Sequence, residues 1–178
     1  MEAAPPVIEL RVERIASLFD PLDPFPIPSR DLAHTAEDFI VGWAREIRLP
    51  AQLRIVVHVP QAELRSSDTE IVAEGIGRHF AGRAQFMQGE QDELFRNGRR
   101  ALAIGLAVLA ICIAISTLAT RVLGETPVAE YLSEGVIIFG WVANWRPAEI
   151  FLYDWWPIAR RKRLFQRLSV APVEVRAV

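Results

Sequence analysis

Between Ala101 and Thr120 the chain reads ALAIGLAVLAICIAISTLAT, twenty residues without a charge. At about 1.5 Å per residue, a helix of that length reaches roughly the 30 Å of a hydrocarbon core. A buried helix of a soluble domain seldom stays apolar on every side for so long, and the run starts too far from Met1 to be a secretory signal. Residues 101–121 are therefore expected to form a transmembrane helix. Arg96, Arg99 and Arg100 precede it, whereas Arg121, Glu125, Glu130 and Glu134 follow it without a positive excess, so the preceding residues are expected on the cytoplasmic side.

A return span is harder to place, because only Gly135 to Trp145 is both apolar and uncharged, and eleven residues are too few to cross as a helix. Extending it to residues 129–147 recovers the length. This register leaves Glu130 and Glu134 near the outer surface and brings Trp145 and Arg146 to the inner interface. The competing register, 135–158, buries Arg146, Glu149 and Asp154, which are costly in a bilayer unless paired or lining a pathway. The first register is adopted, giving a helical hairpin. Within it Ala103, Ala107, Ala110 and Ala114 recur at helical spacing, and with Gly135 and Gly140 they are the expected close-packing positions, for a tight hairpin or for an interface between subunits.

Charge is uneven along the chain. Residues 1–100 hold 12 basic and 16 acidic side chains, 101–145 hold one and three, and 146–178 hold seven and three. A cluster of cations beside an apolar segment does not suggest a nucleic-acid-binding face. In residues 148–168, Phe151, Tyr153, Trp155 and Trp156 form an aromatic belt followed by Arg160, Arg161, Lys162, Arg163 and Arg167. This reads either as an interfacial helix meeting anionic headgroups or as a basic stop-transfer flank, with the same topology in both cases. Pro147 suits the first turn of a helix there, and Pro157 is expected to end or kink it.

Residues 1–67 carry β-α-β patterning. In VIELRVE, Ile8, Leu10 and Val12 alternate with Glu9, Arg11 and Glu13, the period of a half-buried strand. A proline-rich loop follows, then a helix over about Leu32–Ile47, capped by Ser29 or Asp31, with Ala36, Phe39, Ile40, Trp43 and Ile47 on its buried face. Pro50 breaks it, and Gln52–Val59 makes a second strand, parallel and adjacent to the first. From Ser67 or Asp68 a helical stalk, 68–100, runs into the apolar segment despite its glycines. Two strands make a poor core, and Val173, Val175 and Ala177 alternate with Glu174 and Arg176, so residues 169–178 are expected to add a third strand. The expected class is thus an α+β membrane protein, a small cytoplasmic domain on a transmembrane hairpin.

Catalytic chemistry is not apparent. His34, His58 and His79 have no ligand spacing, Gly75-Ile76-Gly77 lacks the context of a nucleotide loop, and Glu90, Asp92 and Glu93 lack the order of a calcium loop. His58 reads as a solvent-facing or edge residue. Cys112, mid-span, has nothing to stabilise a thiolate. No cofactor or metal is expected. The best functional candidate is Arg146, Glu149 and Asp154 with Tyr153 and Trp155, either a headgroup or ion site or an interfacial salt bridge that orients the hairpin.

Asp23-Pro24-Phe25, Arg30-Asp31-Leu32, Ala36 to Glu46, and Trp145-Arg146-Pro147-Ala148-Glu149 running into Leu152 to Pro157 resemble a group of uncharacterised bacterial membrane proteins. The resemblance covers most of the chain and implies no known activity. Nineteen arginines against the single Lys162 suit a GC-rich bacterial source. The expectation is a non-enzymatic inner-membrane protein with two spans and both termini cytoplasmic, self-associating or scaffolding a membrane partner. The alternative is a channel or transport subunit in which Glu134, Asn144 or Arg146 lines a pathway. A lipid-modifying enzyme using Glu149 and Asp154 has the least support, since no nucleophile accompanies them.

Overall fold

A computed structural model describes residues 6–47, 52–65, 68–124 and 126–178. The expected helix break at Pro50, the cap at Ser67 and the flanking Glu125 lie outside the described residues. The elements run β1 (Val7–Arg11), α1 (His34–Glu46), β2 (Arg54–Val59), α2 (Asp68–Leu123), α3 (Pro127–Val142), α4 (Trp145–Glu149), a π-helical turn (Ile150–Asp154), α5 (Trp155–Ser169) and β3 (Val173–Ala177). Contacts divide the chain into two units, residues 1–87 with 160–178, and residues 88–159.

The first unit is built on a wholly parallel sheet ordered β1-β2-β3. Ile8 pairs with Ile55 and Leu10 with Val57, while Ile55 and Val57 face Val173 and Val175 across the other ladder. The inner face therefore presents an unbroken apolar surface. Buried with it are Ile40, Val41 and Ala44 of α1, Val72, Ile76 and Phe80 of α2, and Phe165 and Leu168 of α5. The third strand thus supplies what two strands lacked. As the central strand, β2 also buries Val56 on the opposite face. His58 lies on that same central strand, mostly covered, with Nε2 at 3.4 Å from Glu9 and Nδ1 buried without a partner. It is neither solvent-facing nor at an edge.

Two local expectations about α1 are corrected. The helix starts at His34 after Ala33, without a side-chain cap, because Ser29 accepts a 2.6 Å hydrogen bond from Arg78 and Asp31 approaches His79. Its buried positions are Glu37, Ile40, Val41 and Ala44, whereas Phe39 and Trp43 are exposed and contact each other at 6.3 Å.

Helix α2 is continuous over 56 residues. Glycines in a helix cost roughly 1 kcal/mol each, but some are used for close approach: a Cβ at Gly75 would meet the Phe19 ring at 2.7 Å. In the second unit, α3 lies antiparallel to α2. Ser116 bonds to Ser133, Asn144 to Gly105, and Gly140 faces Leu109 and Cys112. The return leg is segmented, with α3 ending at Val142 and a tight turn at Ala143 and Asn144 before α4. Pro157 does not end a helix: the helical backbone continues from the π-helical turn just before it through α5 to Ser169.

Candidate functional site

Asn144 organises the α2–α3 pair. Its Nδ2 donates to the carbonyl of Gly105 at 3.1 Å and to that of Gly140 at 2.9 Å, while its Oδ1 is buried without a partner. A Cβ at Gly105 would stand 2.7 Å from that Oδ1, and one at Gly140 would meet Leu109 Cδ1 at 2.9 Å. Glycine at both positions is what lets the backbones approach. The contacts 116/133, 109/140 and 105/144 share one offset, so residues 101–120 lie alongside residues 129–148.

The packing stripe on α2 is Gly105, Leu109, Cys112, Ser116 and Ala119, not the expected alanines. Ala103, Ala107, Ala110 and Ala114 are all exposed. Both sets obey the helical repeat, and the polar and small residues of α3 select between them. Gly140 is buried as expected, whereas Gly135 is exposed and lines an apolar groove of about 450 Å³ with Cys112, Ile115, Tyr131 and Phe139.

The offset also fixes levels along α2. Glu134 is exposed and level with about residue 115, inside the apolar stretch, and Glu130 with about residue 119. Arg146 is level with about residue 103. Its Nη1 lies 3.1 Å from both Glu149 and Asp154, one cation shared by two carboxylates. Glu134, Asn144 and Arg146 are not brought together: Asn144 is spent on backbone carbonyls, and Arg146 on its two carboxylates.

Beside the triad, Phe95 stacks on Phe151 at 6.0 Å and meets Trp155 at 6.4 Å, and Trp155 Nε1 donates to the Phe151 carbonyl at 3.0 Å. Trp155 contacts Trp156 edge-on at 5.9 Å, with Trp156 half-exposed. Further along α5, Arg160, Arg161 and Arg163 are exposed and Lys162 is partly covered.

The first unit holds a polar network that the sequence did not reveal. His79 is nearly buried, with Nδ1 3.1 Å from Asp31 and Nε2 3.3 Å from Glu37, and the Leu32 amide donates to the same Nδ1 at 3.3 Å. Arg83 donates to the second oxygen of Glu37 at 2.8 Å and lies over the Phe165 ring. The available hint was Glu37, in the first turn of α1 on the face that also carries Ile40, Val41 and Ala44. Its partners are 42 and 46 residues away. Nearby, the amides of Phe25 and Asp31, helped by Arg30, hold the Asp23 carboxyl below its ordinary value and knit the proline-rich loop together. No group of three or more histidine, cysteine or carboxylate side chains suited to a metal occurs among the described residues.

Fold and site together define a mixed helix and strand chain with a small parallel three-stranded sheet and one helix long and apolar enough to cross a membrane, of mean hydropathy 2.6 in its best window. No family model, curated protein or solved structure matches it.

Proposed function

We propose that the chain is a non-enzymatic integral membrane protein that crosses a bacterial inner membrane twice with both termini cytoplasmic, self-associates, and acts as a scaffold or accessory subunit for a membrane partner. The observation that carries this is the path of the chain. It leaves the sheet-bearing unit at residue 87, passes through an apolar window only 17% buried, and returns at residue 160 to lay β3 against β2. A core helix would be largely covered, whereas this one needs an apolar solvent. A chain that returns to the domain it left must cross an even number of times.

The shared offset supports the 129–147 register. With residues 101–120 in the bilayer, Arg146 reaches the inner interface and Glu149 and Asp154 lie outside it. The 135–158 register would draw in Arg96, Arg99 and Arg100 as well, at a cost of several kcal/mol (about 2.5–3.5 kcal/mol for each at mid-bilayer). Trp155 and Trp156 suit the headgroup region, and Arg160, Arg161, Lys162 and Arg163 suit anionic lipid, each worth about 1 kcal/mol near the surface. The bacterial setting rests on the resemblance noted in the sequence, and binding rather than catalysis on titratable clusters that are paired among themselves.

Reporter fusions test the topology. Alkaline phosphatase joined after Leu123 should be active and green fluorescent protein joined after Val178 fluorescent; both silent rejects the orientation, and one signal without the other, which puts both points on one side, rejects two spans. A second reading, an oligomeric channel, is favoured by one observation, the exposed Glu134 at the level of residue 115. Unchanged conductance in Glu134→Gln would remove it.

A further inference from the structure

We propose that the outer edge of β3 is the surface through which the chain meets a second copy of itself, joining the two three-stranded sheets antiparallel about a two-fold axis at Val175. This rests on the self-association reading and names its interface.

The backbone fixes which groups are free. The Ile55 amide donates to the Pro172 carbonyl and the Val178 amide to the Val59 carbonyl. By strand alternation Glu174 and Arg176 also turn their peptide groups toward β2, leaving those of Val173, Val175 and Ala177 facing outward. Among the described residues no strand covers that edge. Exposed edges are ready templates for another strand, and proteins usually blunt them.

What singles out a second copy is self-complementarity. In the fully overlapped antiparallel register Val175 faces Val175 and Val173 faces Ala177, so every outward peptide group pairs, about six main-chain hydrogen bonds in all. Between them, at the closer non-hydrogen-bonded positions, Glu174 of each copy faces Arg176 of the other, twice by symmetry. Within one copy Glu174 is shared by two cations, Arg54 at 3.0 Å and Arg176 at 2.6 Å, so Arg176 can turn to the second carboxylate while Arg54 keeps the first. The apolar row Val173, Val175 and Ala177 would continue across the junction.

The other edge has the opposite character. The Val12 amide donates to His58 and the Arg54 amide to Pro6, so Val7, Glu9 and Arg11 face outward on β1. Overlapping β1 with itself sets Glu9 against Glu9, a like-charge pair that disfavours association. In full overlap the β3 edge matches its copy in charge and the β1 edge does not, which favours β3 as the paired edge.

The test measures the mass of the full chain in nanodiscs by light scattering, for wild type and three variants. Val175→Pro removes an outward N–H and no bond to β2, a substitution edge strands tolerate. Arg176→Glu places two acidic pairs across the junction, and adding Glu174→Arg to it restores opposite charges. We expect wild type at an even copy number, Val175→Pro at half the mass, Arg176→Glu weakened roughly tenfold in self-affinity, and the swapped double variant recovered. If Val175→Pro does not fold, the charge pair decides alone. A monomeric wild type would reject self-association itself. An associated wild type whose mass is odd in copies, or unchanged by Val175→Pro and Arg176→Glu, would overturn the β3 edge while leaving self-association standing.

Discussion

Gly105→Ala tests whether the α2–α3 pair is limited by the space beside Asn144. The new Cβ would stand 2.7 Å from Asn144 Oδ1 and 3.1 Å from the Ala143 carbonyl. Overpacking of this kind costs about 1–3 kcal/mol, and alanine in a helix returns about 0.5–1 kcal/mol relative to glycine. The net loss should be about 0–2.5 kcal/mol. Asn144→Ala behaves differently, because two terms oppose. It forfeits the bonds to the Gly105 and Gly140 carbonyls, each worth about 0.6 kcal/mol on average in membrane helix pairs, and it removes a buried acceptor left without a partner, which costs about 1–3 kcal/mol. That variant should be neutral or slightly more stable. The double variant loses the nearest clash along with the asparagine, so the cycle should show a coupling of about 0.5–2 kcal/mol. Gly140→Ala is the control, since Leu109 and Cys112 obstruct it and Asn144→Ala offers no relief. The assay is equilibrium unfolding in mixed micelles, followed by energy transfer between labels on α2 and α3. Equal cost for Gly105→Ala with and without Asn144 would refute the steric reasoning. A loss above about 2 kcal/mol in Asn144→Ala alone would show that its hydrogen bonds dominate.

His79→Ala should cost about 1–3 kcal/mol, since it strips the Leu32 amide of its acceptor and parts Asp31 from Glu37; unchanged hydrogen exchange at Leu32 would contradict this. Glu174 is held below its ordinary value of 4.5, first by the Arg176 hydrogen bond and then by the charges of Arg54 and Arg176. Its stabilisation is therefore present above pH 4.5 and disappears as pH falls through the depressed folded value. Protection of β3 amides should drop in that window and lose this dependence in Glu174→Gln, so an identical pH profile for the variant would count against it. On α1, Phe39→Ser and Trp43→Ser should each change stability by less than about 0.5 kcal/mol, whereas Ile40→Ala should cost about 2–5 kcal/mol; thermal melts that reverse this order would return the aromatics to the core.

The strands were readable because β1 and β3 are edges, each with one polar and one apolar face, so alternation signals them directly. Central β2 blurs the pattern, because Val56 is buried on the face opposite Ile55 and Val57 and makes that face partly apolar. The α1 face was misjudged because apolar residues run most of the way round that helix, and what turns it is Glu37, bound to His79 and Arg83 from another element. No local pattern announces such partners. The alanines do not face α3 for a similar reason, since two helical stripes fit the same repeat and Asn144, Gly140 and Ser133 on the facing helix choose between them. For the proposed second span, length and charge in the sequence pointed to residues 129–147, and the 105/144 contact sets those residues alongside the apolar stretch of α2.

Because β3 is the third member of a sheet whose other two strands precede the apolar helix, the domain has to wait for its own completion. Ribosomal synthesis delivers β1 and β2 early, then the whole of residues 88–159, and only afterwards the strand that covers the second side of β2. Until that moment β2 has an open flank and the inner face lacks Val173 and Val175. A chain stalled or misrouted during the excursion cannot finish its sheet, which leaves it recognisable to proteases and makes the folded domain a record that the excursion was completed.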